Sequence, residues 1–418
     1  MLSKLLNCPR LQQHGPTLKN RFSQTTIIAI LVASCQVHLV LPALAEGAAP
    51  FYVWQEDVPS HPGQLLRQEP LEEKLVLNAA SKGVRILYAS QGWNDQPVAV
   101  SGDVLIPKGV APEGGWPVLA WSHGTVGVAD VCAPSYRGRS ERDIKYLNKW
   151  LAEGYAIVST DYEGLGTPGG HAYLHCRSEA NGNIDAVRAA QQLELNLSKR
   201  WLVLGQSQGG QGALYTGAFV AASAPELDFR GTLATAPAVN WKDRFFTGRA
   251  EDPNPFIGMS LYLARGFEVY EPAFQSSNTF SDAAMELLPY ADTLCVGELI
   301  GIGMKAKLTQ GQSLKVVPFG KAPGTASGAE KMDVPVSGWS APVYIGQGSA
   351  DPLVRFEDVR NFSVDLCNED VAVTLDVYEG AKHSGPLNQG FDAFRQWVAD
   401  RFAGKPAADS CQEIGANR

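Results

Sequence analysis

The chain has 418 residues, of which 45% are hydrophobic and 19% are charged, so its composition is that of a globular protein rather than a disordered or repetitive one. Its 43 acidic residues outnumber its 35 basic ones, which gives a formal net charge of −8. This charge, with no basic stripe and no phosphate-binding glycine loop, argues against nucleic acid and anionic membrane surfaces as partners.

The first 45 residues predict a cleavable export signal. Four basic residues precede the uncharged run TTIIAILVASCQVHLVLPALA, and no acidic residue occurs before Glu46. Ala43-Leu44-Ala45 has the form that signal peptidases cleave, which predicts a mature chain of residues 46–418 with a net charge of −12 after loss of those four basic residues. The expected location is secreted or periplasmic. A retained membrane anchor and lipidation at Cys35 are the alternatives.

After an irregular, proline-rich lead from Glu46 to Pro70, apolar patterning predicts alternating strands and helices. Strands are predicted at 83–90, 97–107, 116–124, 155–164, 200–206, 229–239, 341–349 and 371–381, and helices at 140–154 and 180–196. Near-continuous apolar strands that alternate with helices indicate a mainly parallel sheet covered by helices on both faces.

The alternation fails between about residues 240 and 340. This interval contains apolar pieces such as NPFIGMSLYLARGF, interrupted by prolines at 253, 255, 272, 289, 318 and 323. A structureless loop of this length is improbable inside a compact domain. The interval is therefore predicted to be a helical cap inserted over the carboxyl edge of the sheet, within one catalytic domain.

Gly205-Gln206-Ser207-Gln208-Gly209 lies where a β-branched run gives way to an alanine-rich one. This is the strand–turn–helix context of a G-x-S-x-G nucleophile elbow, in which the turn strains the serine backbone and leaves no room for side chains at the flanking glycines. Ser207 is the predicted nucleophile.

A serine nucleophile needs a histidine base and a carboxylate that orients it. Asp351 follows one predicted strand and His383 follows the next, so the order Ser207, Asp351, His383 matches the order of this elbow's partners. The other mature histidines all precede Ser207: His61, His123, His171 and His175. Other candidate acids are a glutamate or one of the following: Asp365, Asp370 and Asp376.

Acyl transfer also needs hydrogen-bond donors for the developing oxyanion. The backbone N–H groups of Gln208, directly after the nucleophile, and of Thr125, in the loop SHGTVG, are the predicted donors. The alternative is that His123-Gly124 forms a simple tight turn with no part in binding an oxyanion.

His171, His175 and Cys176 could suggest a metal, but the surrounding glycines and Pro168 predict a loop, so no metal site and no cofactor is expected. Five of the seven cysteines follow the predicted leader, and two bridges with one free thiol are the simplest arrangement in an oxidising compartment.

Several blocks together resemble the bacterial and fungal secretory lipase family from about Leu65 to Phe402. They are RILYASQGWNDQPVAVSGDVLIP, GGWPVLAWSHGTVGVADVCAPSY, GYAIVSTDYEGLGTPGGHAYL, WLVLGQSQGG and YEGAKHSG. The resemblance implies an α/β-hydrolase fold with a helical cap, activity on carboxylic esters, and Ser207, Asp351 and His383 as the triad. It further implies disulfides Cys132–Cys295 and Cys367–Cys411, with Cys176 unpaired.

The leading hypothesis is a secreted serine esterase or lipase that acts through an acyl-enzyme. Its expected partner is a small-molecule or lipid ester, with a lipid–water interface as a further candidate and no obligate protein partner. The alternatives are a peptidase or acyltransferase on the same scaffold, and a noncatalytic binding protein on a hydrolase fold.

Overall fold

The computed structural model describes residues 50–415, apart from the side chains of residues 242 and 243. The predicted export signal at 1–45 lies outside the described residues. Within the described range, no helix is long and apolar enough to cross a membrane.

Nine strands form one sheet in the part of the chain that the structure describes, in the order β1-β2-β3-β5-β4-β6-β7-β8-β9. The first three strands and the β3–β5 pair are antiparallel, and every other pairing is parallel. The strands are β1 (Leu65–Pro70), β2 (Ala80–Gln91), β3 (Pro97–Pro107), β4 (Trp116–Ser122), β5 (Ala156–Thr160), β6 (Leu197–Gln206), β7 (Asp228–Thr235), β8 (Val343–Gly348) and β9 (Val373–Tyr378).

Helices cover both faces of the sheet, which confirms the predicted layering. The helices are α1 (Pro134–Arg137), α2 (Glu141–Ala152), α3 (Cys176–Ala190), α4 (Gln208–Ser223), α5 (Trp241–Phe245), α6 (Ile257–Tyr270), α7 (Ser276–Thr279), α8 (Asp282–Met285), α9 (Val296–Ala306), α10 (Gln310–Ser313), α11 (Thr325–Glu330), α12 (Phe356–Asn368), α13 (Gly385–Gln389) and α14 (Phe391–Phe402).

The central strand β6 shows why helices pack on both faces of the sheet. Because side chains alternate along a strand, Leu202 and Leu204 pack with α2 and α14, whereas Trp201 and Val203 pack with α3 and α4. A strand that is buried on both faces has a nearly continuous apolar sequence, and this pattern is the basis on which β6 is predicted.

Two local predictions are wrong. The lead to Pro70 is not wholly irregular, since Leu65–Pro70 forms the edge strand β1, whose side chains are only partly buried and give no clear alternation. The helix predicted at 180–196 instead spans Cys176–Ala190. It begins earlier than predicted because the ring of His175 accepts a hydrogen bond from the Ser178 N–H at 3.3 Å and so caps the helix at residue 175.

The interval at 240–340 contains helices α5 to α11 and has an apolar core of its own. Phe267 lies at the centre of this core, and its ring contacts those of Phe245, Tyr270, Phe274 and Phe319. Most of these helices are short, as the frequent prolines require. We call residues 240–340 the cap.

The two disulfides that the family resemblance implies are confirmed. Cys132 in the loop after β4 bonds to Cys295, the residue before α9 of the cap, and Cys367 at the end of α12 bonds to Cys411 in the tail. Cys176 is the free, buried thiol among the described residues.

The two disulfides close loops of very different length, with sequence separations of 163 and 44 residues. If restriction of the unfolded chain dominates, replacing Cys132 and Cys295 by serine lowers the free energy of unfolding by about 1 kcal/mol more than the same replacement at Cys367 and Cys411. Urea denaturation of the two double variants, followed by fluorescence, measures this difference. An equal or larger loss on removal of Cys367–Cys411 would contradict it.

Candidate active site

Ser207 sits in the tight turn between β6 and α4, with φ at 59°. The flanking glycines are a steric requirement. A Cβ on Gly205 would lie 2.0 Å from the Gly209 carbonyl oxygen, and a Cβ on Gly209 would lie 1.9 Å from that of Ser122 at the end of β4. The close packing of β4, β6 and α4 therefore holds Ser207 in a backbone conformation that side-chain-bearing residues rarely adopt.

His383 reaches Ser207 from the loop between β9 and α13. Its Nε2 lies 2.8 Å from the Ser207 Oγ, and its Nδ1 lies 2.7 Å from the Asp351 Oδ2. An Nδ1–H that donates to the carboxylate leaves Nε2 free to accept the serine hydroxyl proton. The structure thus brings together the three side chains that the sequence singles out.

Asp351 lies in the loop after β8 and is held from both sides. Its Oδ1 accepts hydrogen bonds from the backbone N–H groups of Leu353 at 2.8 Å and Val354 at 3.0 Å, while Oδ2 faces His383. Burial acts to raise the pKa of Asp351, but the bond and charge of His383 and these two amides outweigh it, so the pKa lies below its ordinary value. Asp351 is therefore a carboxylate at neutral pH.

The competing candidates make other contacts. The Asp376 carboxylate accepts hydrogen bonds from the hydroxyls of Tyr344 and Tyr378, so its partners are tyrosines of β8 and β9. His123 is buried, with Nδ1 2.8 Å from the Gly124 carbonyl oxygen. His171 bonds to Gln208 instead of Ser207.

Thr125 and Gln208, the predicted oxyanion donors, both line the same cavity as Ser207. Gln208 is the first residue of α4, where backbone N–H groups have no partner within the helix and the helix dipole favours negative charge. The loop that carries Thr125 lies against Ser207, since a Cβ on Gly124 would lie 3.6 Å from the Ser207 Cβ. The Thr125 hydroxyl is 2.7 Å from that of Tyr173.

The Gln208 side chain belongs to a buried polar network that sequence reasoning missed. Its Nε2 donates to the Glu179 Oε1 at 2.8 Å and to the His171 Nε2 at 3.2 Å. His171 in turn donates from Nδ1 to the Glu163 carbonyl oxygen at 2.8 Å. These bonds anchor the Gln208 side chain at the first turn of α4.

Burial keeps this network uncharged at neutral pH. It raises the pKa of Glu179 to about 8, against the hydrogen bonds from Gln208 and Leu174, and it lowers the pKa of His171 to about 4. Glu179 lies inside α3, and one sequence gives no signal that separates it from a solvent-facing glutamate.

His171, His175 and Cys176 do not converge. His171 belongs to the network of Gln208, His175 caps α3, and the Cys176 Sγ donates to the Met332 carbonyl oxygen at 3.0 Å. Within residues 50–415, no group of three histidine, cysteine, aspartate or glutamate side chains could hold a metal ion.

The cavity above Ser207 has a volume of about 290 Å³. Ser207, Gln208 and Thr125 lie outside the cap, and the cap supplies most of the wall. The apolar part of that wall is formed by Trp241, Phe245, Phe256, Met259, Leu263 and Phe319. The arrangement can hold an apolar group against an activated hydroxyl.

Comparison with known proteins relates this chain to lipases. The model of a family described as secretory lipase matches residues 139–410, more than half of the chain. The chain is 25% identical to Lipase 5 of Candida albicans over 68% of its own length and 64% of that protein, so it spans just under two thirds of that relative. It is 22% identical to a probable inactive lipase of Mycobacterium tuberculosis, over 83% of this chain and 80% of that protein.

Among solved structures, Candida antarctica lipase A is similar with a TM-score of 0.71 and 19% identity, over 87% of each chain. This likeness confirms the α/β-hydrolase fold that the sequence predicts.

Because Glu179 is buried, we expect the free energy of unfolding to depend on pH. Its pKa of about 8 in the folded protein exceeds its ordinary value of 4.5, so between these values the folded state holds a proton that the unfolded state has lost. The group's contribution to the free energy of unfolding then falls by about 1.4 kcal/mol per pH unit as the pH rises through this window.

Glu179→Gln keeps the shape of the neutral acid and removes its titration. Urea denaturation between pH 5 and pH 8 is expected to show wild type losing stability relative to this variant as the pH rises. A difference that stays constant across the range would show that Glu179 is ionised in the folded protein.

Proposed function

The chain belongs to the secretory lipase family, and from this we propose that it is a serine hydrolase that cleaves carboxylic esters through a covalent acyl-enzyme. The observation that carries the proposal is the linked contact of three side chains: the Ser207 Oγ at 2.8 Å from the His383 Nε2, and the His383 Nδ1 at 2.7 Å from the Asp351 Oδ2. These are hydrogen-bond distances between groups whose elements come from three separate parts of the chain.

In the first half of the reaction, the Ser207 Oγ attacks the ester carbonyl carbon while the His383 Nε2 accepts the hydroxyl proton. The imidazolium that forms is stabilised by the ionised Asp351. The same proton then passes from Nε2 to the departing alkoxide as the ester C–O bond breaks, which leaves the acyl group on Ser207. In the second half, water is activated by His383 and releases the carboxylic acid.

The carbonyl oxygen becomes negative in both halves. We assign its stabilisation to the backbone N–H groups of Gln208 and Thr125, which flank Ser207 at the cavity. One such donor typically lowers the barrier by about 3 to 4 kcal/mol when its position is fixed before the reaction. The hydrogen bonds of the Gln208 side chain to Glu179 and His171 hold one of these two donors in position. The reaction as proposed uses no cofactor.

The substrate we propose is a small-molecule or lipid ester whose apolar part occupies the cavity under the cap. The apolar wall supports this assignment, since it removes a hydrocarbon group from water next to the nucleophile. One relative carries the name of a probable inactive lipase, but in this chain the three side chains that we propose as nucleophile, base and acid lie at hydrogen-bond distances in series.

We also propose that the protein is exported. The leader at 1–45, which lies outside the described residues, and two disulfides among the described residues both fit an oxidising compartment. Sequencing the amino terminus of protein recovered from the periplasm or the medium of a bacterial host is expected to start near Glu46. A terminus at Met1 in that material would contradict the cleavage.

The catalytic proposal predicts that Ser207→Ala lowers kcat on p-nitrophenyl esters by at least about four orders of magnitude, since the nucleophile is lost. Asp351→Asn is expected to lower kcat by about four orders of magnitude, because an amide orients the imidazole poorly. Initial rates on p-nitrophenyl butyrate and labelling with a fluorophosphonate probe measure both effects.

Three outcomes are informative. Cleavage of aminoacyl anilides in preference to esters would identify a peptidase. Acyl transfer to an added alcohol in preference to water would identify an acyltransferase. Wild-type protein that neither turns over an ester nor labels at Ser207 would show a noncatalytic protein on this fold.

A further inference from the structure

The wall of the cavity above Ser207 carries one charge. Of the lining side chains that the structure describes, only Arg244 is charged, and it projects from α5 at the start of the cap. Its guanidinium carbon lies 5.6 Å from the centroid of the Trp241 ring, which lines the same wall. An arginine stacked on an aromatic ring is held in orientation, with the edge of the guanidinium still available for hydrogen bonds.

Arg244 is poorly solvated. Burial lowers the pKa of its guanidinium below the ordinary value, although the negative charges of Asp358 and Asp351 act in the opposite direction. An arginine remains protonated at any pH at which proteins fold, so the result is a desolvated cation and not a neutral group.

The two nearby carboxylates are engaged elsewhere. Both oxygens of Asp358 accept from the Arg355 guanidinium, at 2.8 Å and 2.5 Å. The oxygens of Asp351 are taken by His383 and by the amides of Leu353 and Val354. Both therefore act on Arg244 through space, without a hydrogen bond.

Uncharged polar side chains of the cap line the cavity together with Arg244. They include Thr247, Asn254 and Gln310. The Thr247 hydroxyl donates to the Arg244 carbonyl oxygen at 2.9 Å, whereas the side-chain amides of Asn254 and Gln310 are groups that can donate hydrogen bonds to an anion. The remainder of the cap wall is mainly aromatic and aliphatic. The cavity therefore combines a largely apolar wall with one cation and a few polar side chains.

We propose that this cavity takes esters that carry a carboxylate in addition to the ester group, and that Arg244 binds that carboxylate. The inference rests on the proposed esterase function and deepens it. A planar guanidinium fits a carboxylate with two parallel hydrogen bonds, and such charge-assisted bonds strengthen where water is excluded. The protein carries an excess of acidic residues, so a local cation is needed to hold an anionic substrate.

The carboxylate can belong to the acyl chain or to the alcohol, and paired substrates separate these two sources. For the acyl side, the pair is p-nitrophenyl hexanoate and the mono-p-nitrophenyl ester of adipic acid, which have acyl chains of equal length. For the alcohol side, the pair is p-nitrophenyl butyrate and its ring-carboxylated analogue. The measured quantity is the ratio of kcat/KM for the anionic ester to that for its neutral partner.

Arg244→Gln is expected to lower this ratio by about tenfold or more for one of the two pairs, since the charge-assisted bonds are lost. Arg244→Lys, which keeps the charge but loses the planar fork, is expected to fall between glutamine and wild type. Added salt is expected to lower the wild-type ratio and to leave that of Arg244→Gln nearly unchanged.

Arg249→Gln is the matched control. Arg249 belongs to the same cap, is 75% exposed in its side chain and pairs with Glu251 and Asp252, so its removal deletes one positive charge outside the cavity. The ratio of this variant is expected to equal that of wild type. Labelling of Ser207 by a neutral fluorophosphonate verifies that each variant is folded.

A ratio that is the same in wild type and Arg244→Gln for both pairs would overturn the assignment of Arg244. In that case the proposed function still stands if wild type hydrolyses the neutral esters. Wild type that hydrolyses no ester in either pair would overturn both proposals.

Discussion

The left-handed backbone of Ser207 is the constraint on which the rest of the site depends. With φ at 59°, the serine lies between a strand that ends at Gln206 and a helix that starts at Gln208. This conformation is strained, and it persists because β4, β6 and α4 approach so closely that no Cβ fits at Gly205 or Gly209. This conformation places Ser207 at the carboxyl edge of the sheet, next to the first turn of α4, whose N–H groups have no partner within the helix.

The partners of Ser207 are placed by the same sheet edge. Parallel strands end on one side, so the loops after β8 and β9 deliver Asp351 and His383 to the point where β6 delivers Ser207. Behind the nucleophile, the Gln208 side chain is anchored by Glu179 and His171, which burial keeps uncharged at neutral pH. A rigid, uncharged support of this kind fixes α4 without adding a charge that would oppose a developing oxyanion.

The cap gives the cavity its chemical character. It is bonded to the loop after β4 through Cys132–Cys295, and its aromatic side chains cluster around Phe267. It supplies most of the apolar wall and, at Arg244, the one charged side chain among the described lining residues. The sheet edge therefore carries Ser207, Asp351 and His383, whereas the cap supplies most of the cavity wall.

The sequence by itself determined the alternation of strands and helices, the elbow at Ser207 and the order of its partners, because strand burial, glycine spacing and chain order are local properties that one sequence displays. It placed the edge strand Leu65–Pro70 in an irregular lead, since a half-exposed edge lacks a periodic pattern. Only the tertiary structure decided that Asp351 and not Asp376 contacts His383, that Glu179 is buried with a raised pKa, and that Arg244 lines the cavity. Each of these depends on which distant segments pack together, and burial and through-space charge arise from that packing.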